Sequence, residues 1–479
     1  MISFKCMEET RKLAHNTIIQ ILGKGLTITF ALVGFGLTTR HLGQEGFGFL
    51  VTIYAFLTIF GILVDLGLQM TTTQLISNPK EDESKILSNA LTIRLIASII
   101  FLSIAPIVVL FFPYPSIVKI GVAVAAVGFL FNSLTATITS LFQKHLTMIK
   151  SVIADEAAKI IYLTLIFAAV FLNWGLFGII AALVVDSIVT FAILFYFAQK
   201  QTVLKPSFDF IIWKKIFTKT WPIALTIALN LIYFKGDLFI MSLIRTPSEV
   251  GLYGAPYRVL EVLINISFLL LGLILPILAA SAAAKNFTKF KEMLQSTFDF
   301  LVIFTVPMII GTLFLGESIM VFVSGSEFII SGQLIKILML ATGAIFIASL
   351  FGYAVVALDQ QKRMIKFYAI NAVISIIGYI YLISNYGYWG AAWMTVFTEV
   401  FILVTAGYVM YKNIKFLPKL TLLGKSIIAS LLMAIPLVTF SNLNFLILAF
   451  TAIIVYFVTL YALKGFDKQF VLDIIKIKK

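Results

Sequence analysis

The sequence predicts an all-α polytopic membrane protein. About 14 transmembrane helices are expected, in two pseudo-symmetric six-helix lobes plus two C-terminal helices, with a central cavity. Three observations carry that prediction. Apolar runs recur along the chain, each long enough to cross a hydrocarbon core of about 30 Å as a helix of about 20 residues. Basic residues alternate between rich and poor connecting segments. Short turn motifs recur at a spacing of roughly two hundred residues.

The chain has 479 residues, 61% of them hydrophobic and only 12% charged, and its mean hydropathy is +1.05. Soluble domains carry about 25% charged residues. In lipid every backbone polar group must be satisfied within the chain, which leaves helices and closed barrels. A barrel strand shows alternation over about 10 residues, whereas these runs are continuously apolar and twice as long. The expected spans are 14–39, 47–76, 86–112, 116–141, 152–172, 176–198, 217–244, 251–282, 292–315, 331–358, 364–384, 389–411, 421–440 and 443–463. The net charge of +14 sits in short loops, so it reads as membrane topology and not as a nucleic-acid surface. The single cysteine, Cys6, leaves no intramolecular disulfide or multi-cysteine metal site. No cofactor or metal is expected. The N-terminal stretch has no A-x-A-like cleavage site, so the first span itself is expected to target the chain.

Lys and Arg set the orientation. With the N-terminus in the cytoplasm, 27 of the 36 basic residues fall on the inside and only Arg40, Lys119 and Arg245 on the outside; the others lie within spans. This asymmetry alternates loop by loop. It predicts a multi-pass protein of the cell (cytoplasmic) membrane with both termini cytoplasmic.

The repeat uses other residues. "NWGLFGIIAA" (173–182) parallels "NYGYWGAAWM" (385–394), with Asn173, Gly175 and Gly178 matching Asn385, Gly387 and Gly390. "RHLGQEGFGFL" (40–50) parallels "RTPSEVGLYGA" (245–255), and "MIK" occurs at 148–150 and 364–366. The chain therefore divides into 1–200, 205–412 and two extra spans with a basic tail in 413–479. Parallel repeats of six spans related by an axis along the membrane normal are a transporter architecture, with the substrate site between halves. Membrane-edge turns that converge on Gly, Asn and aromatic residues are the plainer alternative.

Charges within spans are costly and usually face a cavity or a partner. Lys24, Asp186, Lys235, Asp237 and Glu399 lie deep; Arg94 and Asp299 lie nearer the inner face; Arg258 and Lys336 lie nearer the outer face and can snorkel. Asp65 and Glu261 complete the conspicuous set. Asp155 and Lys159, four residues apart near a cytoplasmic end, read as a local ion pair. Lys235 and Asp237 are two apart, about 200° round a regular helix, and cannot both face one partner. Lys24 and Lys235 occupy the first span of each half. Facing one cavity, they form a cationic site for an anion such as a diphosphate, which Arg258 and Arg94 extend. In the competing reading each lysine is neutralised by a nearby acid. Asp65, Asp237, Asp186 and Glu399 serve either ion coupling or packing. No phosphate-loop motif is present, so no ATPase of its own energises the chain, and the short outer loops hold no catalytic domain.

"RHLGQEGFGFLVTIYAFLTIFGILVDLGLQMTTTQLIS" (40–77), with "DLGL" at 65–68, resembles the opening of the polysaccharide (Wzx-like) flippases of the multidrug/oligosaccharidyl-lipid/polysaccharide exporter superfamily. "GDLFIMSLIRTPSEVGLYGAPYRVLE" (236–261) resembles the start of that family's second half. By position Asp65, Asp237 and Arg258 match its patterns; Lys24 and Lys235 do not come from a motif. The resemblance implies a 12- or 14-helix bundle that moves a polyprenyl-diphosphate-linked oligosaccharide from the inner to the outer leaflet by alternating access. Coupling to H+ or Na+, contact with membrane lipid, and work alongside glycosyltransferases and a polymerase or ligase are implied with it. A drug/cation antiporter of the same superfamily is the alternative, and would need a cavity of negative charge. A membrane enzyme such as a glycan polymerase would need a large outer loop with clustered Arg and His.

Overall fold

The computed structural model describes residues 2–465; the side chains before Gly23, that of Lys24 and several between 222 and 232 lie outside the described set. All regular structure among the described residues is helical. The α-helices are α1 (Ile2–Asp65), α2 (Leu68–Ile76), α3 (Glu83–Val108), α4 (Ser116–Lys144), α5 (Ile149–Phe171), α6 (Gly175–Gln199), α7 (Phe210–Ile244), α8 (Pro247–Ala283), α9 (Phe287–Ser324), α10 (Ile329–Ala357), α11 (Gln361–Ile414), α12 (Thr421–Thr439) and α13 (Phe445–Ala462). Ten helical segments are long and apolar enough to cross a membrane. Two of them are bent into two legs each, α1 at Gly43 and α11 at Gly387. With α5, whose inner half carries Lys150, Asp155, Glu156 and Lys159, and with α7, the set reaches about fourteen.

Most expected spans and helices agree to within a few residues, but α7 begins seven residues before the span expected at 217–244 and α9 runs nine residues past the one expected at 292–315; there are also three differences of continuity. The spans expected at 14–39 and 47–76 are joined through α1, and those at 364–384 and 389–411 through α11. The second expected span is itself broken at Leu66 and Gly67, both with positive φ (40° and 82°). Glycine adopts such a backbone without a Cβ clash, and the break lies in the "DLGL" stretch. Phe111 and Phe171, each 86% exposed, mark apolar surface of the kind that a membrane or a partner covers.

The chain divides into two compact units, Met1–Gly251 and Leu252–Lys479. In the first, α6 packs on α4 and α5, α1 packs on α5 and α4, and α7 packs on α1, α2 and α3. An extended linker leads into α7 along α3. Ser84 Oγ donates to Val203 O (2.6 Å) and Asn89 Nδ2 to Ser207 Oγ (3.0 Å). Asn89 Oδ1 accepts from Asp209 N and Trp213 Nε1, both at 2.9 Å. Asp209 caps α7 by accepting from Ile211 N and Ile212 N and pairs with Lys85 at 2.7 Å. The Lys85 ammonium, with the Ile212 and Ile211 N–H groups, holds the Asp209 carboxyl below its ordinary range.

In the second unit α10 packs on α9 and α11, and α12 and α13 pack on α9. Prolines inside helices leave the carbonyl four residues earlier without its donor. Two of those carbonyls are filled by hydroxyls from neighbouring helices. Pro256 frees Leu252 O, which accepts from Ser331 Oγ at 2.6 Å. Pro307 frees Ile303 O, which accepts from Tyr456 Oη at 2.7 Å. The second bond fixes α13 against α9 beside Ala429, Met433, Leu448 and Ala452.

The repeated motifs fold alike. Gly175 and Gly387, matched in sequence, have φ of 60° and 59°. At the turn before each "MIK", Thr147 N donates to Phe142 O and Gln360 N to Val355 O, each spanning five residues.

Candidate intramembrane polar sites

The first unit holds an ion pair that joins the middles of two helices. Lys159 Nζ donates to Asp186 Oδ2 at 2.6 Å, joining α5 to α6. At about 1.5 Å per residue, Lys159 lies about 15 Å into α5 and Asp186 about 16 Å into α6. The side chains are 20% and 15% exposed, and the Lys159 ammonium also lies 4.9 Å from the centre of the Tyr162 ring. One turn along α5, Glu156 Oε1 accepts from Thr27 Oγ1 of α1 at 2.5 Å. Asp186 Oδ1 is buried with no hydrogen-bond partner among the described residues. Three helices thus meet through two carboxylates and one ammonium, and charge inside an apolar bundle is costly unless it is paired.

Sequence spacing singles out Asp186 but not Glu156, and it pairs Lys159 with Asp155 near a cytoplasmic end. The structure gives Lys159 a deep partner on the next helix that i,i+4 spacing did not supply. The missed signal was the repeat. At the offset of 212 that relates Gly175 to Gly387, Lys159 corresponds to Asn371 and Asp186 to Thr398. Asn371 Nδ2 indeed donates to Thr398 O at 3.5 Å. The first unit has charges where the second has a neutral contact.

A second feature surrounds the "DLGL" break. Asp65 ends α1, its Oδ2 accepts from Gly67 N at 3.2 Å, and its Oδ1 accepts from Arg94 Nη2. Arg94, on α3, also donates from Nη1 to Ser133 O of α4 at 2.9 Å and is 1% exposed. The guanidinium thus ties α3 to two other helices of the same unit, α1 and α4.

The remaining candidate residues are spread out. On α7, Asp237 is fully buried on one face with Tyr233, Leu238 and Met241, while Lys235 is half-buried off that face. Lys235 Nζ lies 5.4 Å from the centre of the Phe234 ring. Arg258 is 51% exposed and bonded one turn along α8 to Glu261 at 3.2 Å. Lys336 pairs with Glu317 at 3.1 Å, and Asp299 accepts from Gln295 at 2.9 Å. Glu399 is 4% exposed on α11. One turn before it, Thr395 Oγ1 lies 3.0–3.4 Å from the hydroxyls of Tyr253, Tyr257 and Tyr379. The side chain of Lys24 lies outside the described residues.

Comparison with known proteins gives this arrangement a context. A Shigella dysenteriae protein named "Putative O-antigen transporter" is 23% identical over 410 residues, which cover 81% of this chain and 98% of that protein. Among solved structures, a lipid II flippase, MurJ, in an inward closed conformation superposes with a TM-score of 0.71 at 16% identity, over 93% of this chain and 97% of its own. An inward-facing multidrug resistance transporter of the MATE family, in the MOP superfamily, gives 0.65 at 12% identity, over 83% and 98%. These likenesses establish a MOP-type fold. The family profile described as "Polysaccharide biosynthesis protein" matches residues 13–282, more than half of the chain. The protein is a multi-pass membrane protein and belongs to the polysaccharide biosynthesis protein family.

Proposed function

We propose that the protein is a flippase that carries a polyprenyl-diphosphate-linked oligosaccharide from the inner to the outer leaflet of the cell membrane by alternating access. The observation that carries the reading is the family match together with a polar contact in mid-membrane that is charged in one repeat and neutral in the other. Of the relatives, one is named for O-antigen transport and one is a flippase of lipid II, which favours a lipid-linked sugar. On this reading residues 1–200 and 205–412 form two six-helix halves around a central cavity, α12 and α13 are accessory, and both termini are cytoplasmic.

Lys24, Lys235 and Arg258 contact the anionic diphosphate, the sugar occupies the cavity, and the isoprenoid chain stays in lipid. Arg94 is better suited to a fixed role, because both of its Nη atoms are engaged within the first unit; with Asp65 it holds the helix break. Lys159, Asp186 and Glu156 carry the coupling to an H+ or Na+ gradient. The Lys159 ammonium serves as a tethered cation that Asp186 releases when it takes up the coupling ion. Asp237 and Glu399, both buried, are assigned to packing or to a second ionisable position. Glycosyltransferases supply the substrate, and a polymerase or ligase consumes it.

Export of the lipid-linked sugar in cells tests the headgroup assignment. Replacing Lys24 and Lys235 together with alanine abolishes export if these residues bind the diphosphate. Undiminished export by a normally expressed double variant refutes it. The multidrug reading of the same fold predicts that the variant gains or keeps efflux of organic cations.

A further inference from the structure

The turn between the two legs of α1 and the turn between α7 and α8 touch through bare backbone. A Cβ built on Gly48 would lie 1.8 Å from Pro247 O, and one built on Gly251 would lie 2.1 Å from Gln44 O and 3.0 Å from Gly48 N. Real Cβ atoms do not approach backbone so closely, so neither position tolerates a side chain in this arrangement. The contact is reciprocal: 44 meets 251 and 48 meets 247, and the steps from 44 to 247 and from 48 to 251 are both 203 residues, two fewer than the 205 that aligns Arg40 with Arg245. A contact in which i meets j and the equivalent of j meets the equivalent of i is the signature of a local twofold axis. These are the turns that the sequence repeat pairs.

Beside the glycine contact lies an aromatic plug. Phe112 is 5.3 Å from Phe56 and 6.2 Å from Phe239, centre to centre, and Phe56 lies 6.3 Å from Phe239. Phe112 stacks on Tyr114 at 5.8 Å. The Tyr114 and Ser242 hydroxyls are 2.7 Å apart, with the two residues 7% and 9% exposed. α1, the α3–α4 connection and the end of α7 are thereby closed on one another at the same end of the first unit.

We propose that this contact is the outer gate of the transporter, shown shut: Gly48 and Gly251 let the two turns seat backbone on backbone, and the aromatic cluster with the Tyr114–Ser242 bond seals the space beneath. The proposal rests on the transporter reading and on the topology that places residues 40–50 and 245–251 outside. Opening separates the α7–α8 turn from α1 and breaks the Tyr114–Ser242 bond. Glycine is required for closure and not for folding of either turn, since both positions sit within helical segments that accept a side chain once apart.

The test places one cysteine at Ser242 in a Cys6→Ser background, in the full chain in intact cells, and measures labelling by a membrane-impermeant maleimide from outside. Ser326→Cys, in the exposed α9–α10 turn, is the accessible reference. Ser242→Cys is expected to be protected, and Gly48→Val or Gly251→Val to raise its labelling to the Ser326→Cys level. Gly61→Val, where an added Cβ meets only ordinary contacts with Phe129 at 3.5 Å, leaves it protected. If either glycine variant does not fold, judged by size-exclusion chromatography, Phe112→Ala with Ser242→Cys removes the centre of the aromatic plug, and it too must label faster. Protection that persists in folded variants overturns the gate. The readout needs no substrate, so it is independent of whether the cargo is a lipid-linked sugar.

Discussion

Lys159 and Asp186 form a 2.6 Å ion pair between the middles of α5 and α6, at the sequence positions that correspond to Asn371 and Thr398 in the second repeat. The second repeat joins those positions through a neutral bond, from the Asn371 side chain to the backbone carbonyl of Thr398. Grafting it back, as Lys159→Asn with Asp186→Thr, separates charge from packing. The double variant is expected to match the wild type in thermal stability and to lose gradient-dependent transport. Lys159→Ala alone strands a buried carboxylate, which costs about 3 kcal/mol, and should lower the melting temperature well below that of the double variant. Full transport by the double variant would show that the charges only pack.

The Asp65–Arg94 pair fastens the break between α1 and α2. Arg94→Ala leaves Asp65 with its Gly67 N bond alone and removes the tie from α3 to Ser133 O. Because Asp65 is 36% exposed, the expected loss is at the lower end for such pairs, up to about 3 kcal/mol, read as a lower unfolding temperature in detergent. Arg94→Lys keeps the charge but cannot serve both partners in the same fork geometry, and an intermediate temperature is expected. A melting point equal to the wild type in Arg94→Ala contradicts the fastening role.

Tyr456 fills the carbonyl that Pro307 leaves without a donor. Tyr456→Phe keeps the ring and removes the hydroxyl, so Ile303 O is left unsatisfied at a cost of about 1–2 kcal/mol. Pro307→Ala in that background restores the helical donor. The double variant should recover most of the stability, a coupling that a thermal double-mutant cycle measures directly.

The linker into α7 has a pH signature. The carboxyl of Asp209 is held below its ordinary range by Lys85 and the α7 N–H groups. A depressed folded-state pKa gives stability that is fully present above the unfolded-state value, near 4, and is lost as pH falls through the folded-state value. The difference in melting temperature between the wild type and Asp209→Asn should therefore be constant at neutral pH and shrink only below about pH 4. A difference that already shrinks between pH 8 and 6 would point to a different group.

Much of this architecture is legible in the sequence because lipid imposes a simple rule: a span must be long, apolar and helical. That rule gave the all-α class, the span positions and the turns at 113–115 and 173–175. Continuity was hidden, since a glycine such as Gly43 or Gly387 bends a helix without a polar loop to announce it. Lys235 and Asp237 were separable from spacing alone, and their burial differs in that sense, with Asp237 on the packed face of α7. The partner of Lys159 was not legible in the same way. Intrahelical spacing favours Asp155, whereas Asp186 is 27 residues away and comes within reach only when α5 and α6 are packed. The roles of Arg94 and Tyr456 were hidden for the same reason, because each completes a helix other than its own.

The measurement that bears most directly on the central claim is translocation in proteoliposomes. Purified protein is reconstituted with a fluorescent polyprenyl-diphosphate-linked oligosaccharide, and the fraction of sugar reaching the opposite leaflet is followed with an impermeant quencher, with and without an H+ or Na+ gradient. The account predicts gradient-stimulated movement by the wild type, strong slowing in Lys24→Ala/Lys235→Ala, and no gradient response in Lys159→Asn/Asp186→Thr. Absence of translocation by folded wild-type protein alongside gradient-driven uptake of an organic cation would contradict it.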